Sequence, residues 1–548
     1  MLAEILGSLS GVFSKFKSSE TNALFLTAIV WIGWRIWTFT IEPKLRPLDP
    51  PVLPYHFPFI GHTISFLWNQ EGLLCRASNY FPGDAPFSIA ILGTKYIVLR
   101  KPENVKAVWN DTKSFSFDDY LRAVFAGFNI PPSSYTAAFK EDPARFWHGD
   151  EKLAPYFVKE NPAKKRYTDL QDGWMKEALQ PGKKMDAVSR IFLRNIEQLI
   201  PVYLLDHRVK SGRSEDSGQG QTVDLYKWGR YVLADAGSRA FLGSEILGID
   251  PDFVQHYIDW EDLSWKIPWN YPGFLSHDMY KARETLVQVF MRYYTLEPSQ
   301  RPNLNWLFDR IRNEHQQLGM SLRDAGTVAL IVLWGVHLNT YRMLFWTLAH
   351  ILASPSLTEA IRDETNSAFD SKRGTLSISH LMNECPILGA VWNEVLRLYA
   401  SSSMIRSCVS PTTIGNKTVH VGDRLLGQFR PMHLSTSIWG DDALEFNENR
   451  WLKDGGIKKP RGFFPFGGGH MHCPGRTLAK QEVFLFVATV LMNYDVQPVG
   501  ERLKYNGNAG GNGEDEMRWK VPGVSTKHAL ATLDPAEELF LRIKERYS

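Results

Sequence analysis

The stretch "FFPFGGGHMHCPGR", residues 463–476, places a cysteine between a run of three glycines and a Pro-Gly pair. Glycines permit backbone angles that are closed to other residues and let the chain approach a bulky partner closely. Pro474 suits the first position of a helix, and the apolar spacing of residues 475–494 predicts that helix. Cys473 therefore lies just ahead of a helix N-terminus, where the dipole and the free N–H groups stabilise a thiolate.

The thiolate of Cys473 has two chemical uses, as a nucleophile or as a soft metal ligand. A nucleophile needs a base, and His470 and His472 stand close enough in the sequence to supply one. A nucleophile does not need three consecutive glycines, whereas a flat cofactor does. The pattern favours a flat, metal-containing group. A nucleophile and a cysteine that is merely buried are the alternatives.

The composition is that of a globular protein, and it argues against several classes of protein and of site. The 548 residues are 44% hydrophobic and 22% charged, and the net charge of +3 is too small to indicate a nucleic-acid partner. The four cysteines form no C-x-x-C pair, which argues against a disulfide scaffold and a zinc site. Helical periodicity predominates, and residues 87–109 predict a β-hairpin followed by a helix. We therefore expect a mainly α fold with smaller β-sheets.

An apolar run at residues 22–41 follows an N-terminal tail, residues 1–21. At about 1.5 Å per residue, a helix of this length crosses the hydrocarbon layer of a membrane. Its tryptophans suit the headgroup interface, and Arg35 is placed to snorkel towards it. The alternatives are a buried core helix and a cleaved signal peptide, but no A-x-A site follows the run. We expect an uncleaved, single-pass membrane anchor.

Six prolines occupy residues 42–62, directly after the apolar run. Proline fixes φ and removes a backbone donor, so this segment is predicted to be neither helix nor central strand. It is expected to act as a stiff, extended hinge. No convincing boundary follows it, and residues 63–548 are predicted to form one domain.

Three ordered motifs resemble those of the cytochrome P450 superfamily. The segment "FGGGHMHCPG", residues 466–475, is similar to the haem-binding loop of that family, F-x-x-G-x-x-x-C-x-G. Upstream, "NEVLR" carries E-x-x-R as Glu394 and Arg397, which share one face of a helix. "FNENRW", residues 446–451, resembles F-x-P-x-R-F, although Glu448 stands where proline is usual.

The resemblance implies a cytochrome P450 fold over residues 63–548 and a haem b cofactor. Members of that family ligate the haem iron through a cysteine thiolate. Cys473 would be this axial ligand and the metal-binding residue. Phe466 would pack beside the thiolate, and Gly469 and Gly475 would make room for the porphyrin.

Two further sets of residues follow from the resemblance. The family usually has a basic partner for a haem propionate two residues before the cysteine, but this chain has Met471 there. Arg406, His472 or His470 is expected to replace it, and the alternative for His472 is a side chain that only packs. Glu394, Arg397 and Arg450 are expected to form a structural charge network.

By the same resemblance, residues 329–352 form the long helix on the oxygen-binding side of the haem. The usual pattern there, [AG]-G-x-[DE]-T-[TS], contains an acid and a threonine that pass protons during oxygen activation. Aligned without gaps, this chain has Leu338 in place of the acid and Asn339 in place of the threonine. An amide forms hydrogen bonds but cannot relay a proton as a hydroxyl does. The candidate catalytic residues are Asn339, His337 and Thr340.

His337 has two possible roles on this helix. It either steers protons or contacts a substrate oxygen, or it is hydrogen-bonded within the helix bundle. The pattern L-W-x-x-x-x-N-T, residues 333–340, resembles the branch that contains cholesterol 7-alpha-hydroxylase, sterol 12-alpha-hydroxylase and prostacyclin synthase.

The implied activity is a monooxygenase that inserts one oxygen atom of O2 into a C–H bond of a lipophilic sterol- or terpenoid-like substrate, as in secondary metabolite biosynthesis. Electrons would come from NADPH through NADPH–cytochrome P450 reductase, because the chain has no flavin or NADPH fingerprint. Lys458, Lys459 and Arg461 are candidates for attracting the reductase. The expected location is the endoplasmic reticulum membrane, with the catalytic domain in the cytosol.

Two alternatives stay open at this point. The joint loss of the acid and the threonine is compatible with a redox-neutral haem-thiolate isomerase, which needs neither oxygen nor electrons. A non-catalytic haem sensor or carrier is the third hypothesis, although the chain carries no added signalling domain.

Overall fold

The computed structural model describes residues 19–81, 83–139, 165–210, 220–268, 271, 273–317, 320–370, 375–452, 460–505, 516–525 and 531–546. The chain divides into two compact units. The first comprises Met1–Ser116 and Ile405–Gly427, and the second comprises Phe117–Met404 and Gln428–Ser548.

The first unit is built on a five-stranded sheet. Its strands lie in the order β1 (Phe87–Ile91), β2 (Thr94–Leu99), β10 (Arg424–Gln428), β7 (Ser403–Cys408) and β3 (Phe115–Ser116). The first two strands form an antiparallel hairpin, and β10 runs parallel to β2. The predicted hairpin and the helix after it are confirmed. The strands are β1 Phe87–Ile91, β2 Thr94–Leu99, β3 Phe115–Ser116, β7 Ser403–Cys408, β8 Thr412–Ile414, β9 Lys417–Val419 and β10 Arg424–Gln428. The helices are α1 Ser19–Ile36, α2 Glu42–Leu45, α3 Thr63–Trp68, α4 Gln70–Tyr80 and α5 Pro102–Asn110, with a π-helical turn at Trp37–Ile41.

The proline-rich segment differs in part from its prediction. Helix α2 extends four residues into it, because Pro43 lies in the first helical turn, where a missing N–H costs little. The remainder of the segment is hydrogen-bonded to the first unit at two places. Leu48 accepts a backbone hydrogen bond from Thr418, and Val52 bridges to β1.

Two apolar helical segments among the described residues are long enough to cross a membrane. Residues 23–45 have none of their apolar window buried, as an anchor requires, whereas 72% of the window in residues 322–353 is buried. The second segment is therefore a core element of the folded protein.

The second unit is mainly helical, as predicted. Its strands form a three-stranded sheet, β11-β14-β4, and two hairpins, β5-β6 and β12-β13. The strands are β4 Gln221–Asp224, β5 Phe369–Asp370, β6 Thr375–Leu376, β11 Tyr494–Val499, β12 Arg502–Tyr505, β13 Glu516–Trp519 and β14 Phe540–Glu545. The helices are α6 Asp118–Gly127, α7 Pro132–Phe139, α8 Tyr167–Leu179, α9 Lys183–Leu204, α10 Leu225–Leu242, α11 Ile246–Ile249, α12 Phe253–Glu261, α13 His277–Thr295, α14 Trp306–Gln317, α15 Leu322–His337, α16 Thr340–Ala353, α17 Pro355–Asn366, α18 Ile378–Asn383, α19 Pro386–Tyr399, α20 Arg430–His433, α21 Thr436–Trp439 and α22 Arg476–Asn493.

Helices α15, α16 and α22 run through the hydrophobic core of the second unit. Helix α16 packs against α10, α19 and α22. Trp346 on α16 stacks on Tyr399 at the end of α19, with ring centroids 3.8 Å apart. Phe484 and Phe486 on α22 are fully buried. This core fixes the two elements on which the candidate site depends, the N-terminus of α22 and the junction between α15 and α16.

Candidate functional site

The loop before α22 presents Cys473 on a tightly closed backbone. The N–H of Cys473 donates to the carbonyl of Phe466 at 3.1 Å, and the N–H of Gly467 donates to Phe464 at 3.0 Å. Gly467 and Gly469 have φ angles of 70° and 64°, in the region that favours glycine. The glycines are therefore required by the turn of the loop itself.

The electrostatic surroundings of the Cys473 sulfur suit a metal-bound thiolate. Burial of its surroundings raises the thiol pKa, whereas the backbone N–H groups of Gly475 and Arg476 hydrogen-bond the sulfur and lower the pKa. The Cys473 side chain is nevertheless exposed. A raised pKa disfavours a free nucleophile, but a bound cation deprotonates a thiol outright. The N–H groups are in place to support that charge.

The space around this loop fits a flat group such as haem. A Cβ built on Gly467 meets nothing within 4 Å, and one on Gly475 meets only a side-chain carbon of Leu179, at 4.0 Å. Phe466 is half-buried and packs against the hydrophobic core, beside the turn that carries Cys473. The residues present therefore allow a planar cofactor to approach the backbone and provide a thiolate to hold its metal.

Glu394, Arg397 and Arg450 form one buried charge network. Arg397 and Glu394 make two hydrogen bonds, of 2.6 and 2.8 Å, and both side chains are fully buried. The guanidinium of Arg450 lies 3.3 Å from the same carboxylate and also pairs with Asp442 at 2.9 Å. Trp451 completes the set by donating its indole N–H to Glu394 at 2.8 Å. The structure thus brings together the three residues that the motifs predicted.

His433 joins this network to the cysteine loop and was missed by the sequence analysis. Its carbonyl accepts a hydrogen bond from Arg397, and its Nε2 accepts one from the backbone N–H of Phe464, each at 3.0 Å. Burial lowers the pKa of His433 to about 3, so the imidazole is neutral and able to accept. No local pattern marks His433, because its two partners lie 31 and 36 residues away in the chain.

The helix predicted over residues 329–352 is present, but it is interrupted for two residues, Leu338 and Asn339. Helix α15 ends at His337 and α16 begins at Thr340. Asn339 leaves the regular helical angles, with φ −114° and ψ −21°. The guanidinium of Arg342 donates to the carbonyl of Leu338 and so satisfies a polar group at this break.

The break turns one face of the helices towards open space. Gly335 is exposed, and Val336 and Asn339 are half-buried, whereas Leu338 and Thr340 are buried. Among the described residues, the side-chain oxygen of Asn339 is buried and has no hydrogen-bond partner. A buried acceptor of this kind normally has a donor, which a ligand or a water molecule supplies.

The structure places His337 and Thr340 on a different side from Asn339. The His337 imidazole lies 3.4 Å from the hydroxyl of Ser238 and meets the Tyr257 ring edge to face at 5.4 Å. Burial lowers its pKa to about 4. These contacts match the alternative in which His337 belongs to the helix bundle. Thr340 contacts Glu482, a residue that the sequence analysis did not single out.

The candidate propionate partners fall in two places. His472 belongs to the cysteine loop, where its N–H donates to Gly469 at 3.3 Å. Arg406 lies on β7 in the first unit, and burial lowers its pKa to about 10. His470 is exposed and lies 3.4 Å from Asp172.

The proposed reductase patch is only partly described. Arg461 lies within the described residues, whereas Lys458 and Lys459 lie outside them.

Comparisons with known proteins agree with this site. The family model described as Cytochrome P450 matches residues 253–518. Cytochrome P450 monooxygenase poxD of Penicillium oxalicum is 24% identical over 463 residues, 82% of this chain and 88% of that protein. Beta-amyrin 11-oxidase of Glycyrrhiza uralensis is 26% identical over 339 residues, 57% of this chain and 67% of that protein.

A solved structure shows the same fold. Retinoic acid bound cyanobacterial CYP120A1 has a TM-score of 0.63 and 17% sequence identity, and the alignment covers 91% of this chain and 99% of that one. The resemblance to the sterol hydroxylase branch stays a prediction. The cysteine loop, the buried charge network, the fold and the family match together show that this chain belongs to the cytochrome P450 superfamily and is an oxygenating oxidoreductase.

Proposed function

We propose that this protein is a membrane-anchored haem-thiolate monooxygenase that hydroxylates a lipophilic, terpenoid- or sterol-like substrate. The observation that carries the proposal is the Cys473 loop, in which two backbone N–H groups face the sulfur and glycines leave room for a flat group. The family and the fold imply haem-thiolate binding. The bound haem would supply the activation of O2, with the thiolate raising electron density at the iron.

Side chains of this protein would hold the haem and fix the position of the cysteine loop. Cys473 would hold the iron, with Phe466, Gly469 and Gly475 shaping the proximal side. Arg406 and His472 would neutralise the propionates. Glu394, Arg397 and Arg450 would fix the cysteine loop through His433.

Asn339 would accept a hydrogen bond at the helix break and so orient the group that donates it. Its side-chain oxygen is buried without a partner in the described part of the chain, so it is available to accept a hydrogen bond. Gly335 and Val336 share that face and leave an apolar surface for a lipophilic ligand. Because an amide does not relay protons, the proton supply must involve another group.

The substrate class rests on the relatives. Beta-amyrin 11-oxidase and Ent-kaurenoic acid oxidase 1 of Arabidopsis thaliana carry names that refer to terpenoids, and the latter is 26% identical over 239 residues. Several other relatives are fungal cytochrome P450 monooxygenases. A terpenoid-like substrate is consistent with the apolar face at the helix break.

Membrane attachment and the electron source complete the proposal. Helix α1 presents exposed apolar side chains such as Leu24, Leu26 and Val30, which suits a lipid environment. We assign the anchor to the endoplasmic reticulum membrane, with the folded units in the cytosol. The electrons would come from NADPH through NADPH–cytochrome P450 reductase.

Turnover in a reconstituted system tests the function. The full-length protein is incubated with candidate terpenoids, with and without O2, NADPH and reductase. Product that carries one oxygen atom from 18O2, and only in the complete mixture, supports the monooxygenase. Product formed at the full rate without NADPH and O2 would instead establish the redox-neutral isomerase.

A further inference from the structure

The break between α15 and α16 is held by an arginine of the following helical turn. The N–H of Leu338 donates to Trp334 at 3.0 Å and closes α15. The N–H of Met343 donates to Asn339 at 3.1 Å and opens α16. The carbonyl of Leu338 accepts from the guanidinium of Arg342. Carbonyls at a helix end need acceptor partners from outside the regular ladder, and Arg342 supplies one here.

Two carboxylates from other parts of the chain fix the guanidinium of Arg342. Its Nη1 donates to Glu261, the last residue of α12, at 3.0 Å. Its Nε donates at 2.5 Å to Asp534, in the segment that precedes β14. The planar guanidinium thus reaches the Leu338 carbonyl and both acids at once, whereas a lysine ammonium presents its donors from a single point. The helix break is therefore connected to α12 and to the C-terminal segment.

Glu261 is only 3% exposed and is itself held by several donors. The hydroxyl of Tyr341 donates to its carboxylate, with both oxygens at 3.0 Å, and Arg230 on α10 donates a further hydrogen bond. Burial alone would raise the pKa of Glu261, but Arg230 and Arg342 lower it below its usual value, so the carboxyl is ionised. We name these residues the Arg342 cluster: Arg230, Glu261, Tyr341, Arg342 and Asp534.

The end of α12 contacts both halves of the interrupted helix. On the α15 side, the indole N–H of Trp334 donates to the hydroxyl of Ser264 at 3.0 Å, and its ring lies 6.3 Å from that of Trp260. On the α16 side, Glu261 accepts from Arg342. The last turn of α12 therefore bridges the break and fixes the carboxylate that Arg342 meets.

The segment that carries Asp534 is fixed in the same way. The carbonyl of Leu533 accepts from the indole N–H of Trp346 on α16 at 2.8 Å, and the N–H of Leu533 donates to Tyr399 at 3.1 Å. Asp534 follows directly in the chain, so its carboxylate is held at the point where it meets Arg342.

Stability alone does not explain the Arg342 cluster. Buried charges lose their hydration, and apolar residues of similar volume often stabilise a fold as well or better. The particular effect of these contacts is to fix one backbone group, the Leu338 carbonyl. The next residue is Asn339, whose side-chain oxygen is buried without a partner in the described part of the chain. Fixing Leu338 therefore also fixes the amide that faces the helix break.

We propose that Arg342 is a positioning residue, which sets the place of Asn339 by joining the Leu338 carbonyl to Glu261 and Asp534. This inference rests on the proposed function, in which Asn339 accepts a hydrogen bond at the site of oxygen activation. Arg342 acts through the backbone of Leu338 and Asn339. Its loss should therefore lower the efficiency of oxygen use as well as stability.

Hydrogen–deuterium exchange of the purified full-length protein tests the positioning without relying on turnover. In Arg342→Met, the backbone amides of residues 334–343 should exchange at least about tenfold faster than in the wild type. The matched control is Arg301→Met, because Arg301 is also a buried guanidinium that donates to a backbone carbonyl, that of Leu296 at 3.1 Å, and pairs with the partly exposed Asp309 at 3.0 Å. This control should leave exchange in residues 334–343 unchanged. Equal exchange in Arg342→Met and wild type would overturn the proposal.

Peroxide released per NADPH consumed, measured with reductase, separates positioning from stability. It should rise about tenfold in Arg342→Met and stay at the wild-type value in Arg301→Met, although both variants lose melting temperature. Arg342→Lys keeps the charge without the planar fork, so it should retain most of the melting temperature and still release more peroxide. Peroxide yields that follow the melting temperature in all of these variants would show a purely structural role and overturn the proposal.

Asp534 provides a variant that leaves Arg342 paired with Glu261. Its side chain is 23% exposed, so Asp534→Asn should fold, and it should raise the peroxide yield about threefold. The double variant Arg342→Met/Asp534→Asn should match Arg342→Met alone, because Asp534 acts through Arg342. Increases that multiply in the double variant would contradict the proposal. A wild-type protein without thiolate-ligated haem would instead contradict the proposed function.

Discussion

His433 accepts a hydrogen bond from the backbone N–H of Phe464 at 3.0 Å, and this bond ties the cysteine loop to the buried charge network. The same residue accepts from Arg397 through its carbonyl. The Phe463 ring packs 5.0 Å from Trp451, which itself donates to Glu394. The position of Cys473 therefore depends on side chains that lie far from it in the sequence.

Replacing His433 should weaken cofactor retention. His433→Phe keeps a ring of similar size but leaves the Phe464 N–H without its acceptor, at a cost of about 1–3 kcal/mol. Haem content and the rate of haem transfer to an external acceptor protein measure the effect. His420→Phe, at an exposed imidazole, is the control. A haem transfer rate equal to that of the wild type would argue against the role of His433.

Removing one partner of the buried ion pair should be far more damaging. Glu394→Gln leaves the fully buried Arg397 without its counter-charge, and breaking such pairs costs about 3–5 kcal/mol. Thermal melting and soluble yield report the loss. The surface pair of Glu284 and Arg323 is a matched control, since both side chains are more than one-third exposed, and Glu284→Gln should change stability by less than about 1 kcal/mol. Similar losses in the two variants would contradict this interpretation.

Asn339 should control how efficiently oxygen is used. Asn339→Ala removes the buried acceptor at the helix break and should increase peroxide release per NADPH consumed. Asn339→Thr restores the residue that the family pattern has there and should keep peroxide low. The control is Asn383→Ala, at an exposed position at the end of α18. Unchanged peroxide release in Asn339→Ala would show that Asn339 does not take part in oxygen activation.

The two buried acids should make stability fall as pH rises. Burial raises the pKa values of Glu314 and Glu482 from 4.5 to about 8, so between these values the folded protein binds more protons than the unfolded chain. Their contribution is full below about pH 4.5 and is lost as pH rises through about 8. The double variant Glu314→Gln/Glu482→Gln should show a smaller drop in melting temperature over this window. An identical pH dependence in the double variant and in Glu359→Gln, at an exposed acid, would refute the assignment.

The cysteine loop and the charge network were predictable because their signals are local. The glycine run, Cys473, and the pair Glu394 and Arg397 at helical spacing each lie within a few residues. The mainly helical fold followed from periodicity in the same way. The anchor run also appears as an exposed apolar helix, α1, although its membrane location stays a prediction.

Other features depend on contacts that the sequence does not display. The break after His337 is supported by Arg342 and by packing, so apolar periodicity alone predicted a continuous helix. The roles of His433 and Glu482 follow only from their contacts with Phe464 and Thr340, which lie more than 30 residues away in the chain. The short helix α2 runs against the prediction from the prolines, because the first turn of a helix tolerates proline.

The most direct measurement is the absorption spectrum of the reduced, carbon monoxide-bound protein, purified at full length. The proposal predicts one haem per chain and a Soret band at the long-wavelength position of a thiolate-ligated haem, lost in Cys473→Ala. A well-folded protein without porphyrin, or with the shorter-wavelength band of histidine ligation, would contradict it.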